Sequence, residues 1–221
     1  MSRAPAVVGL LFGTALAVAI TLAGPLLLFN PWFTSVLQDR HDVAATFDAT
    51  QEEIDQVTGE ILGDLYVNGD FEASLTPDEP LLDDRERSHM GDVSRLVQLL
   101  AGVTIVAVVV AAVTGTWLRH ERRRQGRIML IGAGAVGVAA LLLAGIFAVA
   151  FEPAFLAFHA IFFPPGTYLF SDGSNLILLF PDGFWFDATL AAGAAIVITA
   201  LAVTLIGLAR WRGGSRTPEQ P

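Results

Sequence analysis

The chain has 221 residues and contains neither cysteine nor lysine. Without thiols it forms no disulfide and does no thiolate chemistry, although this alone does not fix a compartment. Without lysine, all thirteen basic side chains are arginines. Charged residues make up only 16% of the chain against 53% hydrophobic, a balance that excludes an ordinary soluble domain. Histidine is scarce too: His41, His89, His120 and His159 are the only four. Few groups can therefore titrate near neutral pH. No Gly-x-Ser-x-Gly elbow, Walker loop or dinucleotide motif occurs in a fitting context.

What is present is a set of four apolar blocks, Ala6–Phe29, Leu96–Leu118, Ile128–Phe151 and Ala188–Ala209, none of which holds Asp, Glu or Arg. Each is 22–24 residues long, enough for a helix to cross a hydrocarbon layer of about 30 Å. Lipid offers the backbone no hydrogen-bond partner, so each block reads as a transmembrane helix. Gly132, Gly134, Gly137 and Gly193 inside them permit close helix packing. The first block is read as a retained anchor in preference to a signal peptide. Its apolar run exceeds the h-region of about 7–15 residues, and Leu26–Phe29 continues it past Pro25. The expected fold is an all-α membrane protein, a four-transmembrane-helix bundle with an extracytoplasmic domain formed by two outer loops.

Arginine sets the orientation. Arg3 precedes the first block, five arginines fill the loop 119–127, and Arg210, Arg212 and Arg216 follow the fourth block in the tail 210–221. These regions are expected in the cytoplasm with both termini. Segments 30–95 and 152–187 then face outward. Residues 30–95 hold sixteen of the 22 acidic residues, which produces the net charge of −9 and disfavours a nucleic-acid partner.

In the first outer segment, Thr50 and Glu53 have capping-box spacing. Ile54, Val57, Ile61 and Leu65 follow at helical intervals. An amphipathic helix over 50–65 is expected, lying on the membrane surface or packed within the outer domain. Residues 66–76 read as turn and irregular chain. A second capping spacing, Asp83 to Glu86, starts a helix that runs unbroken into the second block. It places Arg85, Glu86, His89 and Asp92 on one face. The second outer segment, rich in phenylalanine and interrupted by four prolines, suggests a chain that dips into the interface and returns in short strand-like or turn pieces.

Taken singly, His89 is an interfacial polar residue held by Glu86 or Asp92, and His159 an interfacial histidine among aromatics. Taken together, they are two imidazoles on the same side of the membrane at similar depth, where polar groups tend to be functional. Such a pair can divide acid and base roles. His41 reads as solvated, His120 as a headgroup contact, and Glu152 as the end of the third block. A zinc site built from His89, His159 and Asp92 or Glu152 is the metal alternative, disfavoured because no His-Glu-x-x-His motif is present.

The order of motifs carries a family resemblance. An acidic loop ends in Arg85-Glu86-x-x-His89-Met90-x-Asp92-Val93. It is followed by Phe158-His159-x-x-Phe162-Phe163-Pro164, by Gly166-Thr167-Tyr168-Leu169-Phe170 and by Leu176-Ile177-x-Leu179-Phe180-Pro181. The chain resembles the bacterial integral membrane family that includes Lit, the lipoprotein intramolecular transacylase. The resemblance implies an acyltransferase that acts on a lipoprotein partner bearing a diacylglyceryl-cysteine. The sn-2 acyl chain would move to the cysteine α-amino group on the outer face of the bacterial cytoplasmic membrane, with no cofactor and no metal. It implies His89 and His159 as catalytic residues, with His89 the first candidate for base and the roles reversible. Arg85, Glu86, Asp92, Phe162, Phe163 and Tyr168 would bind or orient substrate. The rival class is a non-enzymatic membrane protein that binds lipid or a protein partner through its outer domain. A transporter is less favoured, because no ionisable residue lies mid-span.

Overall fold

The computed structural model describes residues 4–77 and 79–213. Arg3 and Arg216, two of the orientation markers, lie outside them. The helices in chain order are α1 (Ala4–Leu28), α2 (Pro31–Arg40), α3 (Val43–Thr46), α4 (Gln51–Val67), α5 (Asp84–Trp117), α6 (Arg122–Val149), α7 (Phe151–Phe162), α8 (Asn175–Leu179) and α9 (Asp182–Gly213). One 3₁₀ turn, Leu118–His120, joins α5 to α6. The protein is a nearly all-helical, multi-pass membrane protein: α1, α5, α6 and α9, which take up most of the four apolar blocks, are long and apolar enough to cross a bilayer.

The described residues divide into two compact units. The first takes in residues 4–25, 101–143 and 193–213, the apolar lengths of the long helices. Small inward clusters hold it together, Phe12 with Leu118 and Met129, and Ile20 with Ala133 and Ala200. Leu142, Ile198 and Val106 point outward and are more than half exposed, the surface expected of a protein solvated by lipid tails.

The second unit comprises Leu26–Leu100 and Ala144–Ala192. Its centre is α4. Thr50 accepts from the Glu53 amide, and the Glu53 carboxylate accepts from the Thr50 amide at 2.8 Å, a complete capping box. The stripe Ile54, Val57, Ile61 and Leu65 is at most 2% exposed and packs on Leu37, Val43, Phe71, Leu82 and Leu179. α4 therefore buries its apolar stripe within the unit. The Ser94 hydroxyl on α5 donates to the Leu65 carbonyl at the end of α4, 2.8 Å away, fastening α5 to this core. Buried Gln38 donates to Thr58 and to the Leu179 carbonyl, joining α2, α4 and α8 without leaving its amide nitrogen unpaired.

Of the strand-like or turn pieces expected in the aromatic segment, the turns are present at 163–174. No strand is formed by its described residues, which otherwise fold as α7, α8 and the start of α9. Proline explains the first break. Pro153 has no N–H to offer the Val149 carbonyl, so α6 cannot continue through it. The chain turns at Ala150 (φ −141°, ψ 50°) and restarts as α7, with Pro153 in the first turn, where an amide would lack a helical partner anyway. His41 also departs from expectation. It is not solvated: its Nε2 lies 3.0 Å from Asp187 at the start of α9, against Gly183.

Candidate active site

His89 and His159 both belong to the second unit. His89 sits in the second turn of α5, seven residues before the apolar block, and is only 6% exposed. His159 lies near the end of α7. The two imidazoles stack with ring centroids 6.0 Å apart and planes at 28°. Phe163 wedges against both, its ring 4.9 Å from His89 and 5.4 Å from His159. Tyr168 packs 5.3 Å from His159, and Phe170 lies 5.6 Å from His89. The pair is thus walled by aromatic rings.

Hydrogen bonding distinguishes the two. The Nδ1 of His159 lies 2.9 Å from the Phe155 carbonyl, one helical turn earlier. A carbonyl only accepts, so Nδ1 carries the proton and, in the neutral ring, Nε2 holds a lone pair. His89 has a buried Nδ1 with no hydrogen-bond partner among the described residues. Burial pushes the His89 pKa down to about 4, the nearby His159 adds to this, and Asp92 opposes it. Burial also lowers His159, but the bond to Phe155 offsets part of the shift. Both rings favour the neutral state at pH 7.

The polar neighbours expected from sequence are near, but they bond elsewhere. Asp92 pairs with Arg95. Arg85 donates to the carbonyls of Gly166 (2.8 Å) and Leu169 (2.7 Å), with its guanidinium 5.3 Å above the Phe170 ring. Gly166 takes φ +84°, a conformation that suits glycine. Glu86 is buried. Its carboxylate accepts from the Asp83 amide (2.8 Å), the Leu176 amide (3.0 Å) and the Ser174 hydroxyl. It therefore caps the start of α5 and the start of α8 together. Arg85 and Glu86 are two jaws that fix the loop 164–175 against the helix bearing His89. Of the expected aromatics, Phe163 and Tyr168 meet the histidines, whereas Phe162 is 47% exposed and packs on Phe158.

Phe155, Phe170 and Ser174 join the site without having been singled out. The Phe155 contact follows from i, i−4 spacing once α7 is known to be a helix. The other two come from a loop whose path the sequence does not encode locally. A groove of about 560 Å³ opens next to Phe170, lined by Leu82, Asp84, Arg85, Arg87 and Ser171 among others. No group of three His, Asp or Glu among the described residues is placed to hold a metal.

An uncharacterized protein of Aquifex aeolicus (strain VF5) is 28% identical over 126 residues, 57% of this chain and 56% of that protein. The chain thus spans little more than half the length of that relative. The in meso structure of the membrane integral lipoprotein intramolecular transacylase Lit from Bacillus cereus shares the fold. It has a TM-score of 0.85 at 18% identity, over 97% of this chain and 99% of that one. A variant of the same protein with a histidine replaced by arginine gives 0.76 at 18% identity, over 94% and 92%. The family model described as lipoprotein intramolecular transacylase Lit matches residues 9–185, both histidine motifs included, and the chain belongs to the Lit family.

Proposed function

We propose that this chain moves an acyl chain from the glyceryl ester of a lipoprotein's N-terminal cysteine to the α-amino group of the same cysteine. The observation that carries this reading is the pair of stacked, neutral imidazoles inside an aromatic wall, in a chain of the Lit family. By the positive-inside rule the site faces outward and both termini lie in the cytoplasm.

The chemistry is an exchange of ester for amide. The free amine, whose conjugate acid has a pKa of about 7.7–8.0, attacks the ester carbonyl carbon. A C–N bond forms and negative charge collects on the carbonyl oxygen. The new ammonium is far more acidic than the starting one, so a neutral imidazole suffices to take its proton. His159 suits this step, because its Nδ1–H is tied to Phe155 and its Nε2 lone pair is free. This reverses the division first suggested by sequence. His89, held neutral, donates an N–H to the developing oxyanion. When the C–O bond breaks, His159 returns its proton to the glyceryl oxygen. Amine and ester sit on one molecule, so the substrate itself supplies much of the proximity. Phe163, Tyr168 and Phe170 exclude water, which would otherwise hydrolyse the ester. The polar groove beside Phe170 receives the polypeptide after the cysteine.

The test is expression in a bacterium that makes diacylated lipoproteins but lacks this activity, followed by mass spectrometry of lipoprotein N-termini. N-acyl lyso forms are expected with the intact chain. Replacing either histidine by alanine should lower the rate by about 10²–10⁴. Absence of these forms from a well-folded chain sinks the proposal. Formation undiminished by either substitution would overturn the roles given to His89 and His159.

A further inference from the structure

Away from the histidines, a second pocket of about 270 Å³ is lined by Arg122, Ala209, Arg210 and Gly213. Arg122 opens α6, and the other three belong to the end of α9. Glycine brings these helix ends together. A Cβ on Gly126 would lie 2.5 Å from the Gly207 carbonyl oxygen and 2.5 Å from the Trp211 nitrogen. The two backbones therefore touch, and no side chain can stand between them. Arg122 lies one turn before Gly126, and Arg210 less than a turn after Gly207. The crossing thus sets both guanidinium groups on one small cavity.

Among the described residues the Arg210 Nε is buried with no hydrogen-bond partner, a deficit that a bound anion would remove. Glu121, the carboxylate at the start of α6, is bonded to Arg124 at 2.8 Å. Two full positive charges and the positive end of α6 outweigh the half-charge of opposite sign at the end of α9.

We propose that this pocket binds the phosphate group of an anionic phospholipid. The planar fork of arginine matches phosphate oxygens in pairs, and basic pockets between transmembrane helices recognise lipid headgroups in this way. The acyl chains of the lipid lie along α6 and α9.

The experiment uses the full chain purified in detergent. Native mass spectrometry and thermal melting are run with phosphatidylglycerol, with phosphatidylcholine and with inorganic phosphate. One retained phosphatidylglycerol and a raised melting temperature are expected, with neither produced by phosphatidylcholine. Arg122→Gln and Arg210→Gln should each weaken retention about tenfold. Arg119→Gln, which removes the same charge from the neighbouring 3₁₀ turn, should leave it unchanged. Arg122 is exposed, so its variant carries the test if Arg210→Gln fails to fold. Equal retention by the wild type and Arg122→Gln would overturn the proposal. So would equal stabilisation by inorganic phosphate without lipid retention, which would make the ligand a free anion.

Discussion

At the scale of the residue, the two histidines are alike in type and unlike in state. His159 has one nitrogen committed to the Phe155 carbonyl, which fixes its tautomer. His89 is buried, with no hydrogen-bond partner for its Nδ1 among the described residues. Burial penalises the charged form of each, so acid protonates them late. Folded His89 binds its proton less tightly than an unfolded imidazole does. Between pH 6.5 and about 4 the unfolded chain therefore holds more protons, and stability falls as pH falls. Thermal melting across this window should show that decline, and His89→Gln should flatten it. If the slope persists in the variant, another group is responsible. Phe163 separates and aligns the rings. Phe163→Leu keeps most of the apolar volume but loses the planar wedge. It should reduce the single-turnover rate about tenfold with the fold intact by circular dichroism.

At the scale of the element, the loop 164–175 has few regular hydrogen bonds of its own and is held by α5. Arg85 takes two of its carbonyls, and Glu86 takes the Ser174 hydroxyl and the Leu176 amide. Removing Glu86 leaves buried donors without acceptors, at a cost of about 1–3 kcal/mol each. Glu86→Ala should accelerate amide hydrogen exchange in residues 164–179, while exchange in the middle of α4 stays slow. Arg85→Gln should loosen the loop alone. Exchange unchanged in both variants would show that the loop is held by aromatic packing. The sequence placed Arg85 and Glu86 beside His89 through helical spacing, which is local. It did not reveal what they bond, because Gly166, Leu169 and Ser174 lie some eighty residues away in the chain.

At the scale of the whole molecule, two solvents act on one chain. The second unit has a water-type core, in which Ile54, Ile61 and Leu179 are fully buried. Ile61→Ala should cost about 2–5 kcal/mol there and lower the melting temperature by several degrees. Leu142→Ala, at a side chain 67% exposed on α6, exchanges one lipid-facing apolar group for another and should change melting little. If Leu142→Ala is the more damaging change, that face packs against protein and not lipid. In the first unit it is close approach that is sensitive. Gly126→Leu would drive a side chain into the Gly207 carbonyl and should abolish recovery of folded protein in detergent.

Elements whose signal is local and periodic were legible in the sequence alone. Runs of more than twenty uncharged apolar residues read as helices, because a backbone in lipid must satisfy itself. The four-residue stripe and capping box of α4 were equally plain. The motif order was enough to suggest the family. The tertiary structure decided everything that depends on distant chain meeting: the 6.0 Å stacking of His89 on His159, the partner of His41, the burial of α4 and the aromatic wall. It also showed helices where strand-like pieces were expected, since Pro153 breaks α6 without preventing a new helix two residues away. Contacts of this kind are set by packing and by satisfying buried polar groups across the fold. Neither leaves a period in the sequence.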